Sequence, residues 1–163
     1  YKKLHLFNLF DENQKPLYCE SDMFLPGESP KNYDFKVGNQ SWNALNIICY
    51  DIRFPEIIRS LKSTPDIIFV PAAFTWQTGK AHWEVLLRAR AIENQCFVVA
   101  CNQTGSFAHN QKRNYGHSMI ISPWGEILAQ LGEEVGVLHF EINKQMILES
   151  RAKLPALKDR KIY

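Results

Sequence analysis

Three short apolar segments, separated by stretches of helical pattern, constrain the fold of this chain more than any other feature. They lie at residues 42–49, 66–71 and 96–101. After the first segment, Pro55 stands where the first turn of a helix would begin. Between the second and the third, residues 81–95 place large apolar side chains at helical spacing. Short buried strands that alternate with helices predict an α/β fold with a central sheet.

The second half of the chain has the pattern of antiparallel strands. Residues 118–122 and 126–130 flank a Pro-Trp-Gly turn and predict a hairpin. Residues 135–142 alternate between apolar and polar side chains and predict one more strand. Asn143 is placed to cap a helix that runs to about Lys153.

The chain is predicted to be a single domain over residues 1–163. It contains no internal repeat or long linker, and 45% of its residues are hydrophobic, which suits one core. Residues 8–40 are the least regular part, because several prolines and turn residues interrupt them, and we expect an extended excursion there.

Charge and hydropathy exclude several classes of protein. Nineteen basic and seventeen acidic residues give a net charge of +2, too balanced for a surface that follows nucleic-acid phosphates. No apolar run approaches the roughly 20 residues of a membrane helix, and the first residues lack the apolar core of a signal peptide. Four cysteines are too few for a disulfide scaffold. We therefore expect a cytoplasmic protein with reduced thiols and neither nucleic acid nor membrane as partner.

Cys49 is the most informative candidate for chemistry. It follows a predicted buried strand and precedes a predicted helix, where the helix dipole and free backbone N–H groups favour a thiolate. The same position also suits a cysteine that merely fills the core. Three charged residues, Asp51, Arg53 and Glu56, follow within seven positions and favour the catalytic interpretation.

Residues 49–56 resemble the nucleophile segment C-Y-D-x-R-F-P-E of the nitrilase superfamily of carbon-nitrogen hydrolases, and the match is complete. Residues 1–7 are similar to its Y-x-K-x-H-L-F segment, in which Lys3 is the catalytic lysine. Glu20 resembles a second family glutamate that lies near this lysine. Other segments similar to the family lie at residues 78–84, 88–94, 115–118 and 123–126. The resemblance implies a four-layer αββα sandwich, a homodimer, and no metal or organic cofactor.

The resemblance also implies an amidase reaction on a small amide that carries a carboxylate. The Cys49 thiolate attacks the amide carbon, Lys3 and the backbone N–H of Tyr50 hold the oxyanion, and ammonia leaves before water hydrolyses the thioester. Glu20 is expected to position Lys3 or the water. Candidate substrate-binding residues are Tyr50, Arg53, Phe74 and Thr78, although Arg53 could instead pair with Glu56, and Phe74 could pack in the core. The segments are most similar to deaminated glutathione amidases, with omega-amidases on 2-oxo acid amides as the alternative.

The family's general-base glutamate lies in a segment that precedes the lysine motif, and this sequence does not contain that segment. We therefore expect the chain to be the larger carboxyl-terminal part of a domain whose amino-terminal part lies upstream or in a separate chain. A polypeptide that begins at Tyr1 should then be insoluble or inactive.

Three other interpretations remain open. Cys49 could form a thiolate–imidazolium pair with His82 or His117 in a cysteine-histidine hydrolase. Four soft ligands could bind a metal, although their spacing fits no common zinc pattern: Cys96, Cys101, His109 and His117. The chain could also be an inactive paralogue or an interaction protein that has lost the base.

Overall fold

A six-stranded mixed sheet forms the centre of the structure, a computed structural model that describes residues 1–107 and 112–161. The strands of these residues are, in chain order, β1 (Asn8–Phe10), β2 (Pro16–Cys19), β3 (Asn32–Val37), β4 (Gln40–Asn46), β5 (Ile67–Ala72), β6 (Phe97–Asn102), β7 (Ser106–Phe107), β8 (Lys112–Arg113), β9 (Met119–Ile121) and β10 (Ile127–Gln130). The helices are α1 (Glu56–Arg59), α2 (Trp76–Asn94), α3 (Lys144–Lys153) and α4 (Ala156–Asp159), with 3₁₀ turns at Glu20–Asp22 and Cys49–Arg53.

The order of strands in the central sheet is β10-β9-β6-β5-β4-β3. The inner strands β4, β5 and β6 are parallel, and the connections between them carry α1 and α2. The outer strands β3, β9 and β10 pair antiparallel with their neighbours. The predicted α/β class is therefore confirmed, as is the hairpin across the Pro-Trp-Gly turn.

The two faces of the sheet pack against different helices, because side chains alternate along each strand. On the first face, Ile68 and Val98 lie in one core cluster with Trp83 and Leu87 of α2, and all four are fully buried. On the second face, Trp42 and Phe97 share a smaller cluster with Ile147 of α3.

The second face is only partly covered at its β3 edge. Tyr33, Phe35 and Val37 lie on this face, and Tyr33 and Val37 are 43% and 62% exposed. Apolar side chains in this arrangement normally pack against another layer.

Two predictions for individual elements were wrong. Residues 135–142 form no strand, and Val135 and Val137 are 91% and 76% exposed. Alternation of side chains favours a strand only where one face can be buried, and most of this segment is exposed, although Ile142 packs against the second cluster. Residues 8–40 are more regular than expected, because they contain the β1–β2 hairpin and the strand β3.

Helix boundaries follow local chemistry. Asn143 caps α3 as predicted, since its side chain accepts a hydrogen bond of 3.1 Å from the Met146 N–H. α2 begins at Trp76, five residues before the predicted start, and ends where Gln95 takes a left-handed conformation with φ of 47°.

In the part of the chain that the structure describes, no helix has the length and apolar character to cross a membrane.

Candidate active site

A cleft of about 1300 Å³ opens at the carboxyl ends of β5 and β6. Its lining includes Lys3, Glu20 and Cys49, three residues that the sequence places far apart. The ends of the two parallel strands contribute Ala72 and Asn102. The predicted catalytic residues therefore share one cavity, at the edge of the sheet where α/β folds form their sites.

Cys49 lies in a strained turn directly after the β4 segment. Its φ is +49°, a left-handed conformation that is uncommon for residues other than glycine. Backbone strain of this kind is concentrated at active sites, where it aims a side chain into a cavity. The helical element that follows is a 3₁₀ turn of only five residues, so the helix dipole is shorter than the sequence pattern suggested.

The surroundings of the Cys49 thiol disfavour its ionised form. Burial raises its pKa above the ordinary value, and a hydrogen bond from the backbone at Ala73 and the charge of Lys3 offset this only in part. The 3₁₀ turn therefore favours a thiolate less than the sequence pattern suggested, and a base near Cys49 would assist its attack.

The rate of Cys49 alkylation by iodoacetamide should reveal this raised pKa. Only the thiolate reacts, so we expect slow modification at pH 7 and a rate that still increases above pH of roughly 8.5, where an ordinary thiol is half ionised. Mass spectrometry of the peptide that contains Cys49, with N-acetylcysteine as reference, measures the profile. A rate that is already constant between pH 6 and pH 8 would contradict the expectation.

Lys3 and Glu20 form a partly buried ion pair inside the cleft. The Lys3 Nζ lies 2.5 Å from the Glu20 Oε2, and the two side chains are 12% and 17% exposed. The Phe7 N–H donates to the same carboxylate oxygen at 2.7 Å, and the Glu20 N–H donates to the Phe7 carbonyl at 3.1 Å. Glu20 is thus fixed by the backbone and in turn orients Lys3. Lys3 is therefore not a solvated residue near the start of the chain.

Asp51 connects the segment that carries Lys3 to the segment that carries Cys49. Its carboxylate is fully buried and accepts hydrogen bonds from the Tyr1 hydroxyl at 2.7 Å and the His5 N–H at 2.8 Å. It also contacts the His5 Nδ1 at 3.0 Å and accepts from the Ile48 N–H at 3.1 Å. Sequence reasoning missed this role, and the only signal for it was a carboxylate directly after a core strand.

Replacing Asp51 should therefore disturb the site as well as the fold. We expect Asp51→Asn to lower kcat at least about tenfold, because loss of charge-assisted hydrogen bonds of roughly 1.5–3 kcal/mol each loosens Lys3 relative to Cys49. Asp66→Asn is the matched control, since Asp66 is also buried but binds the Asn43 N–H and Lys144 away from the cleft. The kcat and the melting temperature of both variants provide the test. Equal kcat in the two folded variants would refute the positioning role of Asp51.

The four predicted substrate-binding residues are not among the described residues that line the cleft: Tyr50, Arg53, Phe74 and Thr78. The Arg53 guanidinium stacks over the rings of Phe74 and Tyr50 at 5.3 and 5.8 Å. Phe74 is only 4% exposed and packs on Trp83 in the core. A direct role for these four residues in binding remains a prediction.

Arg53 also differs from its expected structural role. Its Nη1 lies 3.2 Å from the His82 Nδ1, and within the described part of the chain it forms no ion pair with Glu56. The guanidinium therefore joins the turn after Cys49 to α2, and Glu56 is exposed.

The alternative sites receive no geometric support from the described residues. His82 contacts Arg53, and His117 stacks on Tyr115. Neither histidine is among the described residues that line the cleft with Cys49. Cys96 is fully buried with a raised pKa, whereas Cys101 is exposed. His109, the remaining candidate metal ligand, lies outside the described residues, and those residues contain no group of three or more potential ligands for a metal ion.

Comparison with known proteins identifies the class to which this fold and site belong. Residues 1–152 match the carbon-nitrogen hydrolase family, and the chain belongs to that family. It is 46% identical over 166 residues to the deaminated glutathione amidase of Synechocystis, an alignment that covers 98% of this chain and 58% of the relative. The chain thus spans little more than half of that protein.

Solved structures agree with this assignment. The chain superimposes on the Caenorhabditis elegans NitFhit protein with a TM-score of 0.83 and 40% identity, covering 99% of this chain and 38% of that one. It also matches a mutant of the amidase from Nesterenkonia sp. AN1, in which acrylamide has added to the active-site cysteine, with a TM-score of 0.64 and 27% identity. That match covers 93% of this chain and 61% of the amidase.

Proposed function

We propose that residues 1–163 form the nucleophile-bearing part of an amidase that cleaves a small amide with a carboxylate. The observation that carries this proposal is the convergence of Cys49, Lys3 and Glu20 in one cleft. A fixed cation beside a buried thiol is an arrangement suited to attack on a carbonyl carbon. Similarity to a deaminated glutathione amidase and to a bacterial amidase supports the same class of reaction.

In the proposed reaction, the Cys49 sulfur gives its proton to a base and forms a bond to the amide carbon. The Lys3 ammonium and the Tyr50 N–H stabilise the resulting oxyanion. The C–N bond then breaks, the nitrogen takes a proton and leaves as ammonia or an amine, and a thioester remains on Cys49. Water adds to the thioester and releases a carboxylic acid and the free thiol.

The base in this scheme is proposed to come from outside residues 1–163. Glu20 is the only carboxylate among the described residues that line the cleft, and it is already engaged by Lys3 and the Phe7 N–H. Both contacts fix the Glu20 carboxylate beside Lys3, which suits a residue that orients the cation. A glutamate from an upstream segment, as the family resemblance implies, would complete a Glu-Lys-Cys set.

We propose that the sheet described here is one half of a four-layer αββα sandwich, and that strands of the proposed upstream segment cover the exposed apolar side chains of β3. The homodimer that the resemblance implies is a proposal of the same kind, as is the cytoplasmic location expected from hydropathy and cysteine content.

Hydrolysis of two defined amides tests the proposed function. We expect a polypeptide that contains residues 1–163 together with the proposed upstream segment to release cysteinylglycine from deaminated glutathione faster than it releases ammonia from 2-oxoglutaramate, the substrate type of an omega-amidase. The two products are quantified by liquid chromatography. A preference for 2-oxoglutaramate would favour the alternative amidase, and hydrolysis of neither compound would contradict the proposed function.

A further inference from the structure

The cleft around Cys49 carries an excess of positive charge. Among the described residues that line it, the cations are Lys2, Lys3, Lys112 and Arg113, and the only anion is Glu20. Lys3 pairs with Glu20, which leaves Lys2, Lys112 and Arg113. Of these three, only Arg113 forms an ion pair in the described part of the chain, with Glu133, which is not among the lining residues. A cavity lined by one sign of charge attracts ligands of the opposite sign.

Arg113 is the one of these three cations that contacts an aromatic ring of the cleft lining. Its guanidinium lies 4.0 Å from the centre of the Trp76 ring, a cation–π contact that holds the side chain against the wall of the cleft. It also forms an ion pair with Glu133. A guanidinium has five N–H donors, so an ion pair with one carboxylate leaves donors for a second.

Arg113 and Cys49 line the same cleft. Thr75 forms a bridge with Asn114, which brings Arg113 beside Trp76. Ala73, whose backbone binds the Cys49 thiol, precedes Trp76 by three residues, so their Cα atoms are at most about 10 Å apart. One molecule in the cleft can therefore place a carbonyl carbon at Cys49 and a separate anionic group at Arg113.

We infer that Arg113, held on Trp76, is a specificity-determining residue that binds a substrate carboxylate several bonds away from the scissile amide. The inference rests on the proposed function, because it assigns the far end of the same cleft. It implies that a chain with a distal carboxylate binds more tightly than the same chain with a neutral end. Apolar side chains in the same lining, such as Leu6 and Phe7, suit the uncharged part of such a molecule.

Protection of Cys49 from alkylation tests this inference with a readout other than product formation, provided that it is measured before the probes are consumed. The probes are glutaryl-glycyl-glycine and its C-terminal carboxamide, which differ only in the charge of the distal end. We expect the acid to slow modification of Cys49 by iodoacetamide at about tenfold lower concentration, the order expected of one charge-assisted hydrogen bond. In Arg113→Gln this difference between the probes should disappear.

Arg88→Gln is the matched control. Arg88 is exposed to the same degree as Arg113, 47% against 46%, but binds the Gly125 carbonyl and Glu84 away from the cleft. It should retain the preference for the acid. Equal protection by both probes, or a preference that survives in Arg113→Gln, would overturn the proposed role of Arg113. Either result would leave the proposed amide site at Cys49 standing. Failure of both probes to protect would contradict the proposed amide site as well.

Discussion

A Cys49→Ala protein is expected to fold normally and to hydrolyse no amide. The substitution removes the atom that forms the thioester, so kcat should decrease by at least about ten-thousandfold. The half-buried side chain contributes little volume, and its left-handed backbone is already enforced by the neighbouring turn. Product release and the melting temperature, measured on the same preparation, check both halves of the expectation.

The same substitution at Cys96 should have the opposite effect. Cys96 is fully buried in the core, so Cys96→Ala leaves a small cavity and lowers the melting temperature without removing activity. Hydrolysis retained by a folded Cys49→Ala protein would exclude Cys49 as the nucleophile.

Lys3→Ala should be nearly inactive while it remains folded. Loss of one oxyanion donor typically costs on the order of a hundredfold or more in rate. The substitution also frees Glu20, whose carboxylate keeps its hydrogen bond from the Phe7 N–H, so the local backbone should persist. Steady-state kinetics should show the loss in kcat.

Lys80→Ala is the control for a general loss of positive charge, because Lys80 is exposed on α2 and lies outside the described lining of the cleft. It should behave like the unmodified protein. If Lys3→Ala and Lys80→Ala were equally active, the proposed catalytic role of Lys3 would be wrong.

The sequence was sufficient for those parts of the fold that depend on local patterns. The buried strands β5 and β6 are apolar runs, and Asn143 caps its helix through a contact only three residues away. Residues 135–142 show the limit of this reasoning. Their alternation is local, but whether one face is buried depends on partners elsewhere in the chain.

The arrangement of the candidate site depends on contacts between residues far apart in the chain, which no local sequence pattern displays. Resemblance to a family indicated Lys3 and Glu20, whereas position alone suggested only Cys49 and left open whether it is catalytic or fills the core. The sequence pattern also gave no sign that the pKa of this thiol is raised. Burial raises that pKa, and burial is a property of the folded chain. Asp51 was not predicted, because its partners Tyr1 and His5 lie more than forty residues away.

Cys49 is proposed to carry the acyl group of the substrate during hydrolysis, and trapping that group tests this central claim most directly. Protein mixed with glutaryl-glycyl-glycine is quenched in acid within milliseconds, and a parallel sample receives hydroxylamine, which converts a thioester to a hydroxamate. We predict a glutaryl adduct on the peptide that contains Cys49, formation of the hydroxamate, and neither in Cys49→Ala. A glutaryl group on another residue, or hydrolysis that proceeds without any hydroxamate, would contradict the proposed role of Cys49.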